Sequence, residues 1–272
     1  MTLTFQLAAS EPVAIEIGGM AIALHTEDSA FRQLLEKRYA GFIKPSVNPQ
    51  FEFDIQLFES QETTGADEDV QVKLENGRWL LRRGDFRAGW DSREGRGHIR
   101  QSRNPYAIDS VLRIVHTLIL ARQGGFLVHA ASVIRNGRAF LFAGVSGAGK
   151  TTISRLAPPD ATLLTDEISY VRRDGSQYVG CGTPFAGELA RVGENQSAPL
   201  SALFLLEKGP QNRIETVASS EAIRLLLRNI LFFADDMELV NLVFRSACEF
   251  VEKVPVRRLI FVPDPRVWEM IM

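Results

Sequence analysis

Gly144 to Thr151 reads GVSGAGKT, and this stretch, with the residues on either side of it, leaves few folds open to the chain. Its glycines let successive backbone N–H groups close around a polyphosphate. A lysine at the end of the loop neutralises the outer oxygens, and the hydroxyl after it is a natural Mg2+ ligand. On that pattern Gly144, Ser146, Gly147, Ala148, Gly149, Lys150, Thr151 and Thr152 are candidate nucleotide contacts. Lys150 would grip β/γ-phosphate oxygens, and Thr151 is a candidate metal ligand. The expected cofactors are ATP, or another nucleoside triphosphate, and Mg2+. The apolar run Ala139 to Ala143 predicts a strand before the loop. Lys150 to Leu156 predicts a helix after it, stopped by Pro158-Pro159.

The residues upstream narrow the fold further. Phe126 to Ile134 (FLVHAASVI) has strand character, and Arg135-Asn136-Gly137-Arg138 carries the Asn-Gly signal of a two-residue type I′ turn. The two strands therefore form an antiparallel hairpin that feeds directly into the loop. Pairing Arg135 with Arg138 aligns His129 with Gly144 at the loop's mouth, so an imidazole is expected beside the phosphates. Asp166-Glu167 follows only sixteen residues past Lys150, inside the apolar run LLTDEISYV.

A histidine-bearing hairpin, the loop, one short helix and an acidic pair in this order resemble the nucleotide-binding core shared by HPr kinase/phosphorylase and phosphoenolpyruvate carboxykinase. The likeness covers about Phe126 to Arg191. HAASV resembles the families' His-containing strand, GVSGAGKT their phosphate loop and LLTDE their Asp-containing strand. The resemblance implies that Asp166 binds metal or accepts the proton of a substrate hydroxyl, and that His129 and Lys150 share the catalytic pocket. Strand side chains alternate, so Asp166 and Glu167 cannot both face the phosphates unless the strand bends between them. The chain has Glu167 where HPr kinases have a second Asp. It reads GCGTPFAGEL from Gly180 to Leu189 where they have an Arg-Gly-rich stretch, so phosphorylase activity is not implied. That stretch looks more like the shorter HPr-kinase-related proteins. Glu167, Glu188 and Arg191 are secondary candidates, an arginine there being suited to stabilising charge on a transferring phosphoryl group. Phe185 is read as a packed aromatic, with stacking on a purine base as the alternative.

The fold class expected is mixed α/β (α+β). Residues 1–104 give a mainly antiparallel β region with one helix, capped at Asp28 or Ser29 and stopped at Gly41. Residues 105–272 give an HPr-kinase-like domain with a mixed sheet around the phosphate loop. Asn104-Pro105 opens a helix that runs to about Gln123, on which His116 is read as structural. Helices are expected near Ser220 to Phe233, at Met237 to Lys253 and after Pro265.

A formal charge of −2 over 272 residues argues against nucleic acid or membrane as partner. Eight arginines between Arg78 and Arg103 read as the solvated face of β-hairpins, with a docking surface for an acidic peptide or polyanion as the alternative. Cys181 and Cys248 read as reduced thiols. No basic and apolar leader stands at the amino terminus, and no run approaches the length of a membrane span, so a cytoplasmic protein is expected.

The resemblance implies a kinase transferring the γ-phosphate of ATP to a hydroxyl, foremost a serine of a protein or peptide, with a small-molecule acceptor second. It leaves self-association open. A different class of reading is a nucleotide-gated binding or scaffold module that transfers nothing. Carboxykinase-like chemistry is disfavoured because the chain is much shorter than those enzymes.

Overall fold

The structure, a computed structural model, describes residues 11–45, 48–58, 69–185, 187, 189 and 192–271. The chain divides into two compact units, Met1–Val111 and Leu112–Met272.

The first unit contains β1 (Val13–Ile17), β2 (Met20–His25), α1 (Ser29–Arg38), β3 (Phe51–Leu57), β4 (Gln71–Glu75), β5 (Arg78–Arg83), β6 (Phe86–Asp91) and β7 (Arg96–Gln101). The strands form one sheet in the order β1-β2-β3-β7-β6-β5-β4. Alternation builds its two faces: along β3, Phe53 and Ile55 are buried while Asp54 and Gln56 are exposed. Asn76 and Gly77 both adopt positive φ, the left-handed pair that a tight β4–β5 turn requires. Asp28 caps α1 by accepting the Phe31 N–H at 2.8 Å. α2 (Pro105–Gln123) spans the boundary between the units. Within the first unit its Asp109 accepts from Tyr39 Oη at 2.6 Å and from Arg38 Nε at 3.0 Å.

The second unit begins with the expected hairpin, β8 (Phe126–Arg135) and β9 (Arg138–Ala143), paired from Arg135–Arg138 through Ala130–Ala143. Asn136 and Gly137 again supply the two positive φ angles. α3 (Lys150–Arg155), β10 (Thr162–Thr165), β11 (Ile168–Asp174), β12 (Gln177–Cys181), β13 (Ser197–Lys208) and β14 (Arg213–Thr216) follow. The chain then continues through α4 (Ser219–Leu227), β15 (Ile230–Leu231), α5 (Met237–Lys253) and β16 (Val256–Phe261). β13 runs parallel to β9 and β16, while the other ladders of this sheet are antiparallel.

This sheet is buried on both faces, which explains why its strands are nearly continuous apolar runs. On one face Val128, Ala130, Leu141, Ala143, Leu203 and Leu205 pack with Ala222 and Leu226 of α4 and Ala247 and Phe250 of α5. On the other, Ala131, Val133, Phe140, Phe142 and Phe204 pack with Ile153 of α3 and with Val267 and Trp268.

The first sheet is mainly antiparallel, with two parallel ladders, β2–β3 and β3–β7. Two expectations need correction. The helix expected near 220–233 ends at Leu227, and Ile230 and Leu231 instead pair with β8. The last helical segment is one short 3-10 turn, Pro265–Glu269. No described helix is long and apolar enough to cross a membrane. The first ten residues, on which the leader reading partly rests, lie outside the described residues, as do Glu188 and Arg191.

Candidate functional site

β8 changes neighbours halfway along its length. Phe126 to His129 lie between β11 and β15, whereas Ala130 to Arg135 lie between β9 and β10. At the changeover, one edge of β8 meets the end of β9 and the entry to the 144–151 loop. The other edge meets the break between β10 and β11, which holds Asp166 and Glu167. The fold thus brings three separate sequence signals, the loop, His129 and the acidic pair, to one seam.

The loop is shaped by backbone positions that favour glycine. Gly147 and Gly149 have φ of 76° and 112°. A Cβ on Gly144 would stand 2.7 Å from Ala148 Cβ, and one on Gly149 would stand 2.6 Å from the Phe261 ring. Lys150 is 9% exposed, and its Nζ donates to the carbonyls of Gly144 at 2.9 Å and Val145 at 3.3 Å. The ammonium is therefore folded over the mouth of its own loop.

The strand does bend at the acidic pair. Thr165 Oγ1 accepts the N–H groups of Glu167 at 3.2 Å and Ile168 at 3.3 Å, a hydroxyl-closed turn in place of ladder bonds. Asp166 is 3% exposed. Its Oδ1 accepts the Gly187 N–H and its Oδ2 the Leu189 N–H, both at 2.8 Å. Glu167 turns to Arg113 of α2, with Nη2 to Oε2 at 3.6 Å. The same guanidinium lies over the Phe185 ring, 4.9 Å from its centroid. Phe185 is fully buried, so it is a packed residue rather than an open stacking surface.

Strand alternation puts His129 on the side of β8 that carries Ala131 and Val133, the side on which α3 packs. Partial burial holds the imidazole below its ordinary pKa, reinforced by the positive charges of Lys150 and then Arg113. His129 is therefore kept neutral near pH 7, where it can accept as well as donate. Its backbone N–H donates to Asn229 O at 2.7 Å.

Sequence reasoning missed Arg113 and the backbone N–H groups of Gly187 and Leu189. Arg113 carried a signal: it is a cation in the middle of a helix whose other residues from Val111 to Leu118 are all buried. The Asp166 partners lie more than twenty positions away and carry none. His116 is fully buried, edge-on to Tyr170 with ring centroids 5.4 Å apart, as a structural residue would be. Cys181 is buried and Cys248 half-buried, both as free thiols.

Fold and seam together define a mixed α+β protein with two cations, two carboxylates and an imidazole gathered where a central strand changes partners. The model of the family "SynChlorMet cassette protein ScmC" matches residues 101–272, more than half of the sequence, and the chain belongs to that family. The family so shown is this one and not the HPr kinases. No curated protein matches the chain. Among solved structures, it is similar to one titled "Structure of the Hpr(Ser) kinase/phosphatase from Coxiella burnetii". That similarity has 12% identity, covers 46% of this chain and 92% of that one, and has a TM-score of 0.26, too low to carry an argument.

Proposed function

We propose that the second unit is a nucleoside-triphosphate-dependent kinase that transfers the γ-phosphoryl group to a hydroxyl, foremost a serine of a protein or peptide. The observation that carries this reading is the convergence of the 144–151 loop, His129 and Asp166 at the partner change of β8. The resemblance of these residues to the HPr kinase core, of the shorter related type, supports it.

The residues fit a Mg2+–triphosphate. The loop has the glycine geometry of a phosphate cradle, and Lys150 already holds its ammonium against the loop's carbonyls. Thr151 and Asp166 would hold the cation. Bound Mg2+ would supply charge neutralisation at the phosphate oxygens.

The chain's own groups would do the rest. Lys150 swings from the Gly144 and Val145 carbonyls to the β/γ oxygens, and the loop N–H groups fix the phosphates. Asp166 accepts the acceptor's hydroxyl proton as the new P–O bond forms and the bond to the nucleoside diphosphate breaks. Its two oxygens together can accept about four hydrogen bonds, so two backbone N–H groups leave capacity for that proton. Arg113 and neutral His129 border the phosphate and limit the charge that builds there. Such a kinase would work in the cytoplasm, where ATP is supplied.

A second reading rests on a specific observation. Both Asp166 oxygens are engaged by Gly187 and Leu189, as expected if the carboxylate serves to hold these two residues in place in a nucleotide-gated scaffold. Incubating the protein with γ-labelled ATP, Mg2+ and host lysate, beside Asp166→Asn, separates the two. A species labelled by wild type and not by Asp166→Asn is the expected result. ATP binding without label transfer would favour the scaffold.

A further inference from the structure

Strand register sorts the arginine-rich segment of the first unit in a way its sequence does not. On the open face of the sheet, Arg82 of β5 stands opposite Arg87 of β6, and Arg87 opposite Arg100 of β7. All three side chains are exposed. Adjacent strands lie about 4.8 Å apart, so three positive charges line up along roughly 10 Å.

Four of the neighbouring arginines are balanced. Arg78 lies 3.6 Å from Asp91, Arg96 3.8 Å from Glu52, Arg103 2.6 Å from Asp28 and Arg83 2.6 Å from Asp85. Among the described residues, Arg82, Arg87 and Arg100 meet no carboxylate, and Arg100 only rests over the Phe58 ring at 5.8 Å. Like charges directly opposite one another on a sheet face destabilise it. The row is therefore held against the interests of folding.

We propose that this row is a docking site for an acidic peptide. Carboxylates three or four positions apart on a helix recur about every 5–6 Å, close to the strand spacing, and each guanidinium fork suits a carboxylate. The row ends at a cleft of about 830 Å3 lined by residues that include His25, Asp54, Phe58, His98, Arg100 and Arg103. His25, Asp54 and His98 are register neighbours across β2, β3 and β7, so the cleft floor continues the face that bears the row. Arg100 belongs to both, and the cleft takes a side chain of the docked peptide.

Nucleic acid is the poorer occupant. Asp54, on the adjoining row opposite His98, repels a continuous phosphate backbone, whereas separate carboxylates can be placed clear of it. A net charge of −2 also supplies no general attraction for polyanions. This site stands whether or not the second unit transfers phosphate.

The test is fluorescence anisotropy on the full chain. Its probes are a labelled helical peptide with Glu at every third or fourth position, the same peptide with Gln for Glu, and a single-stranded oligonucleotide of equal charge. The acidic peptide should bind, more weakly as salt rises, and the Gln peptide should not. Replacing all three residues, Arg82→Gln, Arg87→Gln and Arg100→Gln, should weaken binding by roughly tenfold or more while keeping or raising the melting temperature, because a repulsion is removed. Arg93→Gln, in the β6–β7 turn, should bind as wild type. If the triple variant fails to fold, Arg87→Gln alone, at the centre of the row, carries the same expectation in smaller measure. Equal binding of the Gln peptide, undiminished binding by the arginine variants, or tighter binding of the oligonucleotide would overturn the proposal.

Discussion

A largely buried ammonium is tolerated only where acceptors surround it. Lys150 finds them in the Gly144 and Val145 carbonyls, and on the proposed function a triphosphate would draw it from there. The glycines around it differ in what they protect. At Gly147 an added Cβ meets nothing within 4 Å, so Gly147→Ala should cost only the strain of positive φ, about 1 kcal/mol. At Gly149 the same strain is joined by a collision with Phe261, so Gly149→Ala should cost more, about 2–3 kcal/mol. Urea unfolding of both variants checks this, and equal losses would contradict it. His116 supplies a pH prediction. Burial pulls its pKa from 6.5 down to about 4, so the unfolded chain binds the proton more readily. The stability this contributes is complete above about pH 6.5 and is lost as pH falls toward 4. Between pH 7 and 5 the loss should be about 2 kcal/mol. His116→Phe should remove that increment in unfolding experiments at the two pH values, and an unchanged difference would contradict the assignment.

Among elements, β8 organises the site because it has two sets of neighbours. Its hairpin with β9 was readable in advance, since Asn136-Gly137 fixes the turn and the turn fixes the register. The cap of α1 was equally readable: Asp28 accepts an N–H three residues on. What escaped the sequence depends on distant partners. The parallel β2–β3 and β3–β7 pairings join strands whose order no local signal states. Ile230 and Leu231 continue an apolar helical pattern yet pair with β8, because tertiary pairing overrides propensity in so short a segment. Arg113 of α2 reaches the seam only through the way that helix packs. Its charge should be detectable at His129: Arg113→Leu should raise the His129 pKa toward its ordinary value, followed by imidazole chemical shifts across a pH titration. An unmoved titration would remove Arg113 from the site.

At the scale of the whole chain, the two units present their charged groups on different sheets. The first exposes an arginine row on an open face, while the second buries both faces of its sheet and gathers its polar groups at one seam. The sequence located the loop, His129 and the acidic pair, because each is a compact motif. It could not tell which of eight arginines remain unbalanced, because register decides that. The central claim is that the seam is a phosphate site, and calorimetric titration of the full chain with Mg2+–ATP, beside Lys150→Ala, tests it most directly. Saturable binding by wild type that is lost in a folded Lys150→Ala is the predicted result. No heat from wild type, or the same affinity in both proteins, would contradict it.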